Sequence, residues 1–293
     1  MGFVFGVAAA FFFSTTSVLV RVGQRSRAND DGVFMSVFVN VVALGLVALT
    51  LDLPPWSWEA FVAFVIGGVI GTVVGRTAML RAVRLVGASR SNAFMAATPA
   101  VAAFTGWLLL GETLTLLEFV GAAIVISGLL WLVRARSAGS EVDSHEPVPL
   151  THYLIAAAAP TAFGTAFVFR KWGLERFDSA IMGAFLGAAS AYLVIVLIET
   201  FRGKLGERIR ENFGNVSWWF VGAGVSTTLA LISQFTAFTY LEAWIVGTLQ
   251  STQAIITLGL SWLFLKQHER ITLPLIGAVL LVVGGVVLIS LPD

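Results

Sequence analysis

Charged and helix-breaking residues in this chain are gathered into short clusters, and long apolar runs lie between them. A helix that crosses the hydrocarbon core of a bilayer needs about 20 mostly apolar residues. Ten runs meet or approach that length: Phe3–Arg21, Val33–Leu51, Ala60–Arg81, Ala88–Leu110, Glu118–Val133, Thr151–Lys171, Ser179–Ile198, Val216–Leu241, Ala243–Leu265 and Thr272–Ile289. The clearest breaks are Arg25–Asp31, Asp52–Trp58, Arg134–Leu150 and Arg202–Asn215; the weakest is Glu242 alone, between the eighth and ninth runs. Lipid-facing β-strands would be about 10 residues long with strict alternation. Gly277–Ile289 is instead continuously apolar, so the runs predict helices.

Two stretches read differently. Ser137–Pro149 is polar and acidic and predicts a linker. Leu205, Ile209 and Phe213 recur four apart among Arg202, Lys204, Arg208 and Arg210, which suits either a short basic amphipathic helix on a membrane surface or a solvated loop. Trp56, Trp58, Trp131, Trp172, Trp218, Trp219 and Trp244 lie near the ends of runs, where indoles favour the interface. Met1–Val20 lacks a basic leading segment and a small-residue cleavage site, and reads as a retained helix rather than a signal peptide.

Composition narrows the class. The chain is 57% hydrophobic and 12% charged, with a mean hydropathy of +0.89. Soluble domains carry about twice that charge, so a soluble enzyme of 293 residues and a disordered chain are both excluded. A net charge of +1 gives no reason to expect nucleic acid as a partner. With no cysteine and only His145, His152 and His268, no metal site or other cofactor is expected.

The two halves repeat each other. Residues 88–110 align with 243–265, so that Trp107 falls on Trp262 and Leu110 on Leu265. After a two-residue insertion Gly111-Glu112-Thr113-Leu114-Thr115 meets His268-Glu269-Arg270-Ile271-Thr272, and further on Gly121 and Gly128 meet Gly277 and Gly284. Upstream, Ala82-x5-Ala88 matches Ala237-x5-Ala243, Thr72 matches Thr227, and Phe13-Ser14-Thr15 matches Phe163-Gly164-Thr165. The expected fold is therefore an all-α integral membrane protein, with ten transmembrane helices as two inverted five-helix repeats. Residues 1–136 form the first repeat, 137–150 the linker and 151–293 the second repeat. An odd number of spans per half makes the second half enter from the opposite side, an architecture that secondary transporters use for alternating access.

These features resemble the drug/metabolite transporter superfamily, and within it the EamA-like ten-helix permeases. The residues that carry the resemblance are Leu110-Gly111-Glu112 with Pro99 upstream, the Ala82-x5-Ala88 junction, and Gly121 with Gly128. The second half departs from that pattern: Ala254 stands at the position of Pro99, and Lys266-Gln267-His268-Glu269 replaces the compact Gly-Glu. The resemblance implies a small-metabolite permease, often an exporter of amino acids or related compounds. Basic residues cluster in the loops after odd-numbered spans, while the loops after even-numbered spans carry only Arg170, Lys171 and Arg176. That asymmetry puts both termini outside the cytoplasm, whereas the resemblance puts them inside.

Polar groups within spans are expensive and point to function. Arg76 lies inside the third run with no acidic residue in that run, and its repeat mate is Leu231. It suits a substrate carboxylate or phosphate, or else snorkels or meets carbonyls of a neighbouring helix. Thr98 aligns with Gln253, and Gln250 shares a helical face with Gln253. Asn92, Gln234, Thr227, Ser14 and Thr165 complete the candidate substrate-binding set, with helix packing as the alternative use of such residues. No catalytic residue is expected. The predicted function is a plasma-membrane multi-pass permease for a small polar metabolite, with membrane lipid as its surroundings and export as the expected direction. Flux is either downhill or coupled to protons. The competing class is a lipid or amphiphile flippase or a membrane-embedded enzyme.

Overall fold

The structure is a computed structural model that describes residues 1–26, 32–52, 54–86, 91, 94–113, 115–137, 149–265 and 273–289. Among the described residues there is no strand. Backbone groups in a bilayer core find no water, so an apolar run must close its own hydrogen bonds as helix. The first half contains α1 (Gly2–Ser26), α2 (Val33–Ala48), α3 (Trp58–Gly68), a π-helix (Val69–Gly75), α4 (Arg76–Val86), α5 (Thr98–Leu110) and α6 (Leu116–Ser137). The second contains α7 (Leu150–Arg176), α8 (Ala180–Phe201), α9 (Leu205–Phe213), α10 (Trp218–Tyr240), α11 (Ala243–Ser251), α12 (Gln253–Leu265) and α13 (Leu273–Ile289).

Among the described residues, five helical stretches are long and apolar enough to cross a bilayer: Gly2–Arg25, Trp58–Ala82, Leu150–Arg176, Ala180–Phe201 and Trp218–Phe238. Val33–Ala48, Thr98–Leu110 and Phe119–Gly128 are shorter apolar helices. Side-chain caps mark some ends. Ser57 accepts the Ala60 N–H and Ser179 the Met182 N–H, each at 3.3 Å. α5 stops at Gly111, whose φ of 69° is open to glycine at little cost.

The chain folds as two compact units, each drawing on both sequence halves. The first takes Met1–Val69, Phe169–Leu241 and Gln253–His268; the second takes Ile70–Val168, Glu242–Thr252 and Glu269–Asp293. In the first unit α2 packs on α8: the Phe34 and Phe38 rings sit 5.4 and 5.9 Å from Tyr192, while Gly45 faces Phe185. Those pairings run antiparallel. α1 and α10 are also antiparallel, with Gly2 against Tyr240, Phe12 against Ser226 and Gly23 against Phe220. α3 and α8 run parallel, and a Cβ at Gly68 would overlap the carbonyl oxygen of Gly187. Phe64, fully buried, fills the space left by Gly173 and Gly183 and lies 6.1 Å from Phe235.

In the second unit α6 packs on α13, again antiparallel: Gly121 faces Gly285, Gly128 faces Val282, and Trp131 faces Gly277. α5 and α11 form the other main contact there.

Several expectations change. Arg170 and Lys171, counted as loop charges, lie inside α7, and Arg170 is buried. Trp244, expected at an interface, is fully buried with its Nε1–H donated to Glu242 at 2.5 Å. The basic amphipathic stretch is helical (α9). It is fastened to α8 through Glu199, which meets Arg202 at 3.3 Å and Arg208 at 3.9 Å, and to α2 through an edge-on Phe38–Phe213 contact. Residues 138–148 of the expected linker, and Asn92, lie outside the described residues.

Candidate functional site

Two of the apolar runs are interrupted, and the interruptions match. In the fourth run, Ala96 and Ala97 form a turn before α5 begins at Thr98; in the ninth, Thr252 separates α11 from α12. The repeat offset that places Trp107 on Trp262 places Ala97 on Thr252. The backbone bonds agree: Ala97 N–H donates to Phe94 O at 2.9 Å, and Thr252 N–H to the equivalent Leu249 O at 3.1 Å. The local causes differ. Pro99 supplies no N–H and favours the first turn of a helix, and the Thr98 hydroxyl takes the Met95 carbonyl at 2.7 Å. The second break has no proline, and there the Thr252 hydroxyl donates to the Leu249 carbonyl at 2.7 Å. Broken spanning helices expose backbone groups that a substrate can use.

In the second unit, four structural features converge. The π-helix ends at Gly75, which faces the Phe163 ring, and Arg76 opens α4 directly after it, half-buried. One extra residue in a turn rotates the remainder of the helix by about 100°, so the π-helix sets which way Arg76 faces. Gly164, beside Thr165, is packed against Val101 and Ala102 of α5. One turn along α7, the Phe167 ring covers Gly247 of α11, which also touches Pro99. Gln250 lies three residues past Gly247, and its Nε2 is buried with no hydrogen-bond acceptor among the described residues. Arg76, Thr98, Thr165 and Gln250 thus belong to one neighbourhood of helices α4, α5, α7 and α11. Within it the Gln250 Nε2 is a buried donor with no acceptor among the described residues, which suits an acceptor atom on a ligand.

The first unit contains Ser14, Thr227, Gln234 and Gln253. Ser14 is fully buried and donates to the Gln253 carbonyl at 3.1 Å, while the Gln253 amide donates to Ser17 at 3.4 Å. Thr227 is 3.0 Å from Thr16 on α1. One residue earlier, Ser226 donates to the Phe12 carbonyl of α1 at 2.8 Å. Next to this seam, Asn40 joins α2 to α10. With its amide nitrogen turned inward it donates to Gly224 O at 2.6 Å, Thr228 Oγ1 at 3.1 Å and Ser36 O at 3.2 Å. That orientation leaves the Thr228 hydroxyl free to donate to Gly224 O. The first unit's groups are therefore largely bonded to one another, as interhelical contacts.

Gln234 is different. It accepts a 2.6 Å hydrogen bond from Arg170, whose guanidinium also stands 5.6 Å from the Phe235 ring. Next in sequence, Lys171 donates to the Leu241 carbonyl at the end of α10, at 2.8 Å. The sequence reading missed Arg170 because it sits where a run gives way to charge. Glu112, one of the residues that carry the family resemblance, is 6% exposed and accepts the Ala243 N–H at 2.9 Å. A groove between α2 and α8, lined by Val41, Gly45, Leu49, Met182 and Phe185 among others, is apolar and suits lipid chains rather than a polar substrate. Among the described residues no three His, Asp or Glu side chains are grouped to hold a metal ion.

No curated protein matches the chain. One matching crystal structure, whose description names no activity, has a TM-score of 0.73 at 17% identity, covering 98% of this chain and 95% of that one. At that identity the likeness concerns the fold alone. The model of the EamA-like transporter family matches residues 1–134 and again 150–291, one match per half. An all-helical multi-pass chain with two such matches is an integral membrane protein of the transporter class: it belongs to the EamA-like transporter family.

Proposed function

We propose that this protein is a secondary transporter that carries a small polar metabolite, an amino acid or a related zwitterion or organic anion, across the plasma membrane by alternating access, with export as its direction. Ten spans in two inverted repeats are the architecture this reading needs. The matched breaks after Ala97 and at Thr252 are the observation that carries it. A repeat kept only for packing has no need to interrupt the same turn twice, by different local chemistry. The helix directions support the same reading: α2 with α8 and α6 with α13, pairs at equivalent repeat positions, run antiparallel.

Arg76 and Gln250 are the proposed substrate donors, one offering charge and a fork of N–H groups, the other an amide. Thr98 and Thr165 flank them in the second unit. Ser14, Thr227, Gln234 and Gln253 tie helices of the first unit together, and Asn92 follows Ser91 ahead of the fourth-run break. Apolar walls such as Phe163 and Phe167 exclude water and so strengthen those polar contacts.

The test is flux of labelled amino and organic acids into proteoliposomes of the full chain, with and without a pH gradient. Wild-type protein is expected to accelerate one of these classes over empty liposomes, and a response to the gradient marks proton coupling. Arg76→Ala is expected to lower that flux by about tenfold or more, the scale of one lost charged hydrogen bond. Equal flux in wild type and Arg76→Ala removes Arg76 from the mechanism.

A further inference from the structure

Glu112 lies past the end of α5 in the first half of the sequence, yet it serves a helix 131 residues away. α11 begins at Ala243, fully buried, and its own N-cap residue, Glu242, makes no side-chain cap bond to the helix. Glu242 instead accepts the Trp244 indole N–H. A buried helix start needs acceptors for its first N–H groups, and Glu112 Oε1 supplies one to Ala243 at 2.9 Å. The negative charge also suits the positive end of the helix dipole.

The surroundings are shaped to hold that carboxylate. Gly111 turns the chain with φ 69°, and the Glu112 N–H returns to Gly106 O at 3.3 Å. Gly106 has no side chain, and a Cβ there would overlap Glu112 Oε2. α11 is only nine residues long, with extended backbone at Leu241 and Glu242 before it and the Thr252 break after it. It is a short rod with non-helical joints at both ends, and it carries Gln250. At its Gly247 it rests on Pro99, the start of α5; at its Ala243 it is held by Glu112, past the end of α5.

We propose that Glu112 is a positioning residue for transport: it latches α11 to α5 across the two halves, so that the pair moves as one body and Gln250 is held at its working position. The proposal rests on the transporter reading. It gives the Leu110-Gly111-Glu112 segment a mechanical role in place of a simple helix end.

Two variants act on the same bond from opposite sides. Glu112→Ala removes the acceptor, and Gly106→Ala displaces it without touching Glu112. Glu112→Gln keeps an acceptor oxygen. The full chain in nanodiscs is followed by hydrogen exchange at the Ala243 amide. The same variants in proteoliposomes are assayed for uptake of labelled L-alanine, L-phenylalanine or L-glutamate, whichever the wild type accumulates. Ala243 is expected to exchange about tenfold faster in Glu112→Ala and in Gly106→Ala, and no faster still when both are combined, because one bond cannot be lost twice. Glu112→Gln is expected to stay within about threefold of wild type in exchange and in flux. In the two alanine variants the half-saturating concentration is expected to rise more than the maximal rate falls, since the donor on α11 is misplaced while the fold persists.

Unchanged exchange in Glu112→Ala overturns the latch. So do effects that multiply in the double variant, or a Gln variant no better than Ala. If none of the three amino acids is accumulated by wild type, the amino-acid reading fails, and the exchange measurements still decide the latch.

Discussion

Gln250 and Asn40 show how two buried amides in one chain differ. Asn40 spends its nitrogen on Gly224, Thr228 and Ser36, and so ties α2 to α10. Hydrogen bonds between helices in membranes average about 0.6 kcal/mol each. Asn40→Ala is therefore expected to lower unfolding stability by about 1–2 kcal/mol with little effect on substrate affinity, as read by equilibrium unfolding in mixed detergent. An unfolding midpoint equal to wild type rejects the assignment of its amide. Gln250 has a buried donor without an acceptor among the described residues, which costs stability as long as no ligand is present. Gln250→Leu is thus expected to leave the unligated protein as stable or more stable, while flux falls about tenfold. A variant that is destabilised and still transports at the wild-type rate makes Gln250 a packing residue. The sequence marked Gln250 because an amide inside an apolar run stands out. It placed Arg170 in a loop because hydropathy cannot tell a charge that ends a helix from one buried before the helix ends. The Gln234 amide and the Phe235 ring, 64 and 65 positions later, help make Arg170 tolerable inside, and neither is visible from its local sequence.

At the scale of elements, the apolar runs were legible because a bilayer leaves an apolar chain few choices besides helix. The interruptions within runs were not. Pro99 was visible in the fourth run, but Thr252 sits among Gln250, Ser251 and Gln253, side chains that an unbroken helix carries as readily as an interrupted one. The π-helix before Arg76 has no hydropathy signal either. Helix crossings were equally hidden, since they depend on which glycine meets which backbone. The α3–α8 crossing gives an asymmetric prediction. A Cβ at Gly68 would overlap the Gly187 carbonyl oxygen, whereas a Cβ at Gly187 would find its nearest neighbour, Phe64 O, at 3.5 Å. Gly68→Ala is expected to cost about 1–3 kcal/mol, the usual range for overpacking, and Gly187→Ala to be nearly neutral. Thermal unfolding of the two variants in one detergent checks this. Equal losses in both place the close approach somewhere else along the helices.

For the molecule as a whole, the repeat in sequence becomes an exchange of partners in space. Each compact unit is assembled from both halves, and α2 meets α8 just as α6 meets α13, equivalent against equivalent. The directions form one consistent set. α1 opposes α10, α2 opposes α8, and α2 runs with α10, because Gly32 faces Phe220, Val39 faces Gly224 and Asn40 meets Thr228. If α1 points up, α2 and α10 point down and α8 points up. The second helix of one half then opposes the second helix of the other, as inversion demands. Loops at equivalent places in the two halves should consequently open on opposite faces of the membrane. The chain has no cysteine, so single introduced cysteines report without background. Asp52, exposed after α2, and Lys204, exposed after α8, are the matching positions. With a membrane-impermeant maleimide on whole cells, Asp52→Cys is expected to react at once and Lys204→Cys only after permeabilisation. Lys204 lies with Arg202, Arg208 and Arg210, and basic loops stay in the cytoplasm. The reversed result keeps the inversion and puts the termini in the cytoplasm. Labelling of both from the same side removes the inverted repeat, and with it the physical basis for one site served from two sides.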